Sequence, residues 1–436
     1  MITLTLYNLV DTFWVSKLGY RAIAALTIVL PYHVLIMAIG VGIGIGIGAL
    51  TSRRFGERNI EATNHAAGQI FSLAGFYGII FIIAAFFFSE PILTIIGATP
   101  DIMDFATQYL VVLGFGTPFM FFLLMGSSLL RGSGDAVRPM VFIIVAQVAN
   151  IILDPLLIFG LGPFPEMGIR GAALGTVIGQ LLGAGLIFFY IVSGKSAYQI
   201  KLTHLKPSLS IQRDIYRVGF PSMIMLITES VCFALFNAIL SAFGSLALAA
   251  IGITIRISDL AFMPILGASQ GLLPIVGFNF GARLWNRLWR AIKLASGGLV
   301  LLMSVALLVL EIYAPNLIGI FSDDPELIAI AVPAMRIVMS TLVIAGPTVM
   351  FVTAFQGLSK GKEALTLSLV RQFVFLVPLI FILHRIWGLT GMWLSLPISD
   401  IIGFVVAGLW LLREYKIQQR MGMLSGTPVP KAYPGD

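Results

Sequence analysis

Charge is scarce in this chain, and so are the residues that build soluble active sites. Acidic and basic side chains make up 11% of its 436 residues, against roughly 25% in soluble domains. The one cysteine, Cys232, leaves no partner for an internal disulfide, and the four histidines are scattered with no zinc-ligand spacing. Long polar stretches are missing, which excludes a disordered chain or an inserted soluble domain. Apolar residues, by contrast, reach 58%, and the mean hydropathy is +0.99. A soluble globule has no use for that much apolar surface, so most of it must face lipid. A cytoplasmic enzyme and a secreted disulfide scaffold are thereby excluded.

A spanning helix needs about 20 mainly apolar residues. Twelve such segments are read along the chain, at roughly 1–16, 23–50, 65–89, 102–130, 137–160, 171–193, 214–242, 247–279, 290–313, 326–357, 364–386 and 389–412. These runs are too long for the ten-residue strands of a membrane barrel, so the expected fold is all-α. The basic residues fix an orientation. Of the 27, 21 (Arg371 among them) are assigned to the even-numbered connections and the tail; Lys17, Arg21, Arg170 and Arg385 lie on the other side, and Arg256 and Arg336 within spans. The excess predicts a cytoplasmic C-terminus in a multi-pass protein of the cell membrane. It also accounts for the net charge of +7 without any nucleic-acid partner.

The chain repeats itself. Residues 16–58 align with 241–283 at an offset of 225, with 12 of 43 positions identical, including Gly19/Gly244, Gly42/Gly267, Gly46/Gly271 and Arg58/Arg283. A second block, Gly168-x-x-Gly171 against Gly388-x-x-Gly391, repeats at 220. The offset covers six spans, an even number, so the halves should be parallel repeats about an axis along the membrane normal. The expected division is a first lobe over 1–193, a basic linker over 194–213, a second lobe over 214–413 and a tail over 414–436. In this register Met1 matches Leu226, already inside the seventh span, so the first span reads as truncated, with a late recorded start.

Five acids fall within spans: Asp11, Asp154, Glu229, Asp259 and Asp400. Each carries an insertion cost of at least about 2.5 kcal/mol and needs a reason to be there. Gln147, Asn150 and Asp154 form one polar stripe on a helix, and Pro155 should bend that helix and free the carbonyl of Ile151. Such a face suits a cation or a trapped proton. Asn8, Asp11 and Thr12 form a second stripe. The repeat places Phe236 at the match of Asp11 and no acid at the match of Asp154, so these acids belong to the first lobe alone. Arg256 and Asp259 are expected to neutralise each other. Glu229 is placed to attract a cationic substrate, and Asp400, which aligns with Gln180, reads as a packing or interhelical hydrogen-bond residue. Gly40, Gly44 and Gly48 form one small-residue ridge, with Gly42 and Gly46 on nearly the opposite side, permitting close packing on two faces. No His, Cys or Ser constellation within the spans suggests an enzyme.

The segments LYNLVDTFWVSKLG (6–19), LLRGSGDAVRPM (129–140), NIILDPLLIFGLG (150–162), GIRGAALGT (168–176) and MPILGASQGLLPIVGFNFGA (263–282) resemble the multidrug and toxic compound extrusion (MATE) family, over nearly the whole chain. The resemblance implies two six-helix lobes forming a V around a central cavity, and export of small amphipathic, often cationic compounds in exchange for H⁺ or Na⁺. It maps a cation-coupling site, with Na⁺ or H⁺ as the ion, onto Asp11, Asn150, Asp154 and Thr176; Asn8, Gln147, Gln180 and Glu229 are the further candidates for the substrate cavity. No cofactor beyond the coupling ion and no partner beyond the lipid bilayer is expected, the protein acting as a monomer. The alternative is a flippase for lipid-linked oligosaccharides or lipids in the same wider superfamily, which would favour a cationic cavity. The tenth span has no acid to partner Glu229, so a second-lobe cation site is not implied.

Overall fold

In the computed structural model, residues 10–421 and 423–424 are described. The described chain is helical because a backbone in lipid must satisfy its own polar groups. Residues 10–16 are helical (α1). They are followed by α2 (Tyr20–Gly56), α3 (Ile60–Phe87), the short α4 (Ser89–Ile96), α5 (Pro100–Gly132), α6 (Val137–Phe159) and α7 (Ile169–Val192). The second half consists of α8 (Leu209–Leu240), α9 (Ser245–Gly281), α10 (Trp285–Ile312), the short α11 (Ala314–Gly319), α12 (Pro325–Met339), α13 (Leu342–Gly357), α14 (Gly361–Leu369), a π-helical stretch Val370–Leu376, and α15 (Val377–Arg420).

Among the described residues nine helical runs are long and apolar enough to span, or ten when α12 and α13, bent by 44°, are taken as one. The run Gly361–Arg420 is interrupted at Gly388, where φ is 56° and ψ −132°. The expected span at 326–357 is thus a broken helix. The segment carrying Pro155 is not, since α6 continues through that proline to a left-handed cap at Gly160.

The internal repeat is visible in the backbone. Gly19 (φ 100°, ψ 175°) and Gly244 (φ 96°, ψ 173°) start the second helix of each half in the same conformation. Gly168 (φ 56°, ψ −130°) does the same for Gly388. Even two non-glycine residues, Arg58 (φ 58°) and Arg283 (φ 56°), share the left-handed turn.

The first half buries one large cluster that includes Ile36, Ile43, Ile70, Phe121, Leu129 and Tyr198. The second half builds several smaller ones around Phe355 and Trp289, around Phe236 and Trp393, and around Met335. The halves meet mainly through α2 against α8 and α9. The two glycine ridges of α2 do what their spacing predicts. Gly40 and Gly44 lie against Leu124 and Ser128 of α5, while Gly42 and Gly46 lie against Met223, Gly219 and Ile215 of α8. Near the basic loops, Gly56 touches the backbone of Phe278 and Ala282, and Gly281 touches that of Arg53 and Glu57. Those pairs exchange under the offset of 225, as contacts across a two-fold axis must. Away from these ends α2 and α8 part. A cavity of about 340 Å³ lies between Val34, Met37, Ala38 and Val41 on one side and Leu226, Glu229, Ser230 and Phe233 on the other.

The segment between α7 and α8 is fastened to the first half. Tyr198 is fully buried and its hydroxyl donates to the Leu129 carbonyl at 2.6 Å. The Asn64 side chain accepts from Gln199 N–H, and that of Gln69 accepts from Ser208 N–H and donates to the Lys206 carbonyl.

Candidate functional site

Side chains at i, i+3 and i+7 of a helix share a face, and on α6 that face carries Gln147, Asn150 and Asp154, all buried, with Asp154 fully so. A carboxylate can be buried here because α7 comes unusually close. Gly171, Gly175 and Gly179 form a ridge along α7. A methyl group on Gly175 would sit 2.5 Å from Asp154 Oδ1, and one on Gly179 would sit 2.7 Å from the Ala146 carbonyl. The ridge brings Thr176 beside the stripe. Asn150 Nδ2 donates to Asp154 Oδ1 at 3.0 Å and to Thr176 Oγ1 at 3.2 Å, so one amide bridges both helices. Asp11, on α1, closes the site. It is buried, and its carboxyl lies within hydrogen-bonding reach of Asp154. Two carboxyls in such contact need a proton or a cation between them.

Expected site residues Asp11, Asn150, Asp154 and Thr176 are therefore brought together. Gln147 lies one turn before Asn150 on the same face, and Gln180 one turn after Thr176 on α7, against Gly116 of α5. Asn8 lies outside the described residues. The cluster is rich in unanswered acceptors: Asp11 Oδ1, Gln147 Oε1, Asn150 Oδ1, Asp154 Oδ2 and Gln180 Oε1 are buried and meet no donor among the described residues. Among the described residues no ion pair reaches Asp11 or Asp154. Leaving one such group unmet costs about 1–3 kcal/mol. A crowd of oxygens without donors is the donor set of a hard cation or of shared protons.

The second half differs from expectation in two places. Arg256 and Asp259, expected to neutralise each other, are both exposed and form no ion pair. Arg371, counted above with the loop charges, lies inside a span, in the π-helical stretch. Its Nη1 donates to Asp400 Oδ1 at 2.7 Å, and Thr341 Oγ1 donates to Oδ2 at 3.2 Å. Asp400 is thus an interhelical partner, as expected, but of a half-buried arginine within the span. Glu229 lines the cavity between α2 and α8, apart from the first-half cluster.

Two contributors were missed in the sequence, Gly175 and Arg371. The first had a signal, the four-residue glycine period 171/175/179. The second had none, since nothing local announces a π turn.

The long apolar helices, the two-fold-related halves, a buried acidic cluster in the first half and a cavity between the halves define a multi-pass α-helical membrane transporter fold. The MatE family model matches residues 1–156 and 221–382. The chain belongs to that family. It is similar to the multidrug export protein MepA of Staphylococcus saprophyticus, with 28% identity over 97% of this chain and 93% of that one. To MepA of Staphylococcus aureus strain MRSA252 the identity is 26%, over 94% and 90%. Among solved structures it resembles an outward-facing multidrug resistance MATE family transporter, with a TM-score of 0.90 and 27% identity over 96% of this chain and 94% of that one. A transporter of the MOP superfamily from Pyrococcus furiosus, whose binding pocket is described as reversed in polarity, gives 0.87 and 27% over 98% and 94%.

Proposed function

We propose that this chain is a cation-coupled multidrug antiporter of the cell membrane, exporting amphipathic, often cationic compounds in exchange for inward H⁺ or Na⁺. Export of drug-like cargo rests on the family and on the naming of the relatives. Coupling rests on one observation: Asp11 and Asp154 face each other in the first half, with buried acceptor oxygens around them and no basic side chain paired to either among the described residues.

The mechanism follows from that charge arrangement. With both acids ionised, repulsion pushes α1 away from α6 and α7. A proton shared by the pair, or a Na⁺ held by Asp11, Asp154 and the Asn150 and Thr176 oxygens, removes the repulsion and draws α1 in. Movement of α1 is passed to α2, which follows it in the chain and supplies the first-half wall of the cavity, so cation arrival and cargo release become one event. A cation entering down the membrane field gains about 2.3 kcal/mol per charge per 100 mV. Glu229 on the opposite wall offers a counter-charge to cationic cargo. An acid there disfavours the flippase alternative, which calls for a cationic cavity. The C-terminus and the basic loops lie in the cytoplasm by the charge bias, so the cavity opens outward.

Purified protein in proteoliposomes, with pH and sodium gradients imposed separately, tests this reading. Efflux should follow one gradient, and Asp154→Asn should abolish it while leaving expression and folding intact. A well-folded Asp154→Asn protein that still pumps at the normal rate would overturn the assignment.

A further inference from the structure

The histidines look scattered in the sequence, yet the fold brings two of them together with an acid. Glu61 and His65 share one face of the first turns of α3. His204 comes from the 3₁₀ turn Leu202–Leu205, in the segment joining α7 and α8. The two imidazole rings are 4.4 Å apart between centroids. Glu61 Oε1 is 2.9 Å from His204 Nε2 and 3.7 Å from His65 Nε2. All three ligand atoms lie within 4.8 Å of one another.

We propose that Glu61, His65 and His204 form a site for a divalent transition-metal ion of the Zn²⁺ type, at the membrane edge where the connecting segment docks on α3. Two imidazoles and a carboxylate with one position left to water make a recurrent zinc ligand set. Tetrahedral bonds of about 2.0–2.2 Å place ligand atoms about 3.3–3.5 Å apart. The separations of 2.9 and 3.7 Å straddle that spacing. His204 supplies a fixed ligand. It is fully buried, Gln69 donates to its carbonyl, and Gly68 lies directly against its backbone. Glu61 and His65, 66% and 37% exposed, supply adjustable ones. Without metal, Lys201 N–H donates to His204 Nδ1 at 3.2 Å, so the ring proton sits on Nε2 and is donated to Glu61. A metal on Nε2 moves that proton to Nδ1 and gives up the long Lys201 contact. The Glu61–His204 hydrogen bond alone explains those two residues but not the third ring held beside them. Imidazole donors, with the Lys201 charge close to Glu61, select against Mg²⁺ and Ca²⁺, which depend on oxygen donors and charge. A bound ion would tie α3 to the tether between the halves.

The test uses the tag-free, full-length protein in detergent, with Zn²⁺ for stoichiometry and thermal shift and Co²⁺ for its tetrahedral absorption. One ion per chain is expected, with a rise in melting temperature that EDTA reverses. His65→Ala leaves the Glu61–His204 hydrogen bond in place and should weaken binding at least about tenfold, while metal-free transport stays unchanged. Absence of a stoichiometric ion in the unmodified protein, or equal binding by His65→Ala, would overturn the site.

Discussion

Asp154 in the first half is surrounded by an amide, a threonine hydroxyl and a second acid, and no basic group among the described residues pairs with it. Asp400 in the second half, at the repeat position of Gln180, holds the Arg371 guanidinium at 2.7 Å and the Thr341 hydroxyl at 3.2 Å. Both halves meet the same expense, a carboxylate in a spanning segment. The second half covers it with a cation tethered to its own backbone. The first half leaves the position to a cation from outside. A tethered charge cannot leave, so under the proposed coupling it is the Asp11–Asp154 pair, rather than Asp400, that would exchange a cation. The π-helical stretch carrying Arg371 fits the same logic, since widened helical turns recur where a side chain must be re-aimed into a site.

Asp11→Asn should break the contrast most severely. Initial gradient-driven efflux should fall by about 100-fold or more, and Asp11→Asn/Asp154→Asn should be hardly worse than either single change, because the two acids act as a unit. Proteoliposome assays of the three variants give the answer; losses that multiply would mean two independent sites.

Gly175→Ala comes next. Its methyl would sit 2.5 Å from Asp154 Oδ1, so the carboxyl must turn or α7 must retreat. Transport should drop about tenfold with the charge intact, an effect in the range expected from displacing a positioned group by about an ångström. Gly185→Ala, facing open space on the same helix, is the control and should transport normally.

In the second half the same logic predicts a stability effect rather than loss of coupling. Arg371→Met strands Asp400 and should cost no more than about 3 kcal/mol, because the pair is partly exposed rather than fully buried. Thermal unfolding in detergent should show the loss, and Arg371→Met/Asp400→Asn should restore most of it while still coupling transport to the gradient. A double variant that is stable yet uncoupled would show that the second half also exchanges a cation.

Glu229→Gln should have the smallest effect, a shift of less than about tenfold in the ratio of cationic to neutral cargo exported. Competition assays with matched substrates would detect it.

How much could be read beforehand depended on distance along the chain. The Gln147/Asn150/Asp154 stripe is local, so helical geometry alone placed its members on one face. The repeat was legible because conserved backbone turns, such as Gly19 and Gly244, demand the same small residue twice. Thr176 reached the list through family resemblance, since its partner Asn150 is 26 residues away. The Arg371–Asp400 pair was misread because charge at the end of an apolar run looks like a loop. The Glu61/His65/His204 cluster was missed because its members are joined across 139 residues by the docking of a connecting segment, which no spacing rule sees.

The glycine contacts between α2 and the second half have a consequence for timing. Gly42, Gly46 and Gly56 meet backbone or near-backbone atoms of α8 and α9, and those peptide groups are already hydrogen-bonded within their own helices. Parting such faces orphans no backbone amide. What is lost is close-range dispersion, spread over many small contacts, together with the half-exposed Arg54–Asp214 pair at 3.5 Å. The shut and open arrangements can therefore lie close in free energy, and a difference of about 1.4 kcal/mol shifts their occupancy tenfold. One added methyl, as in Gly46→Ala, would act as a wedge that biases the whole population while touching neither cargo nor cation. The resting balance of the transporter would then be set in part by the missing side chains of α2.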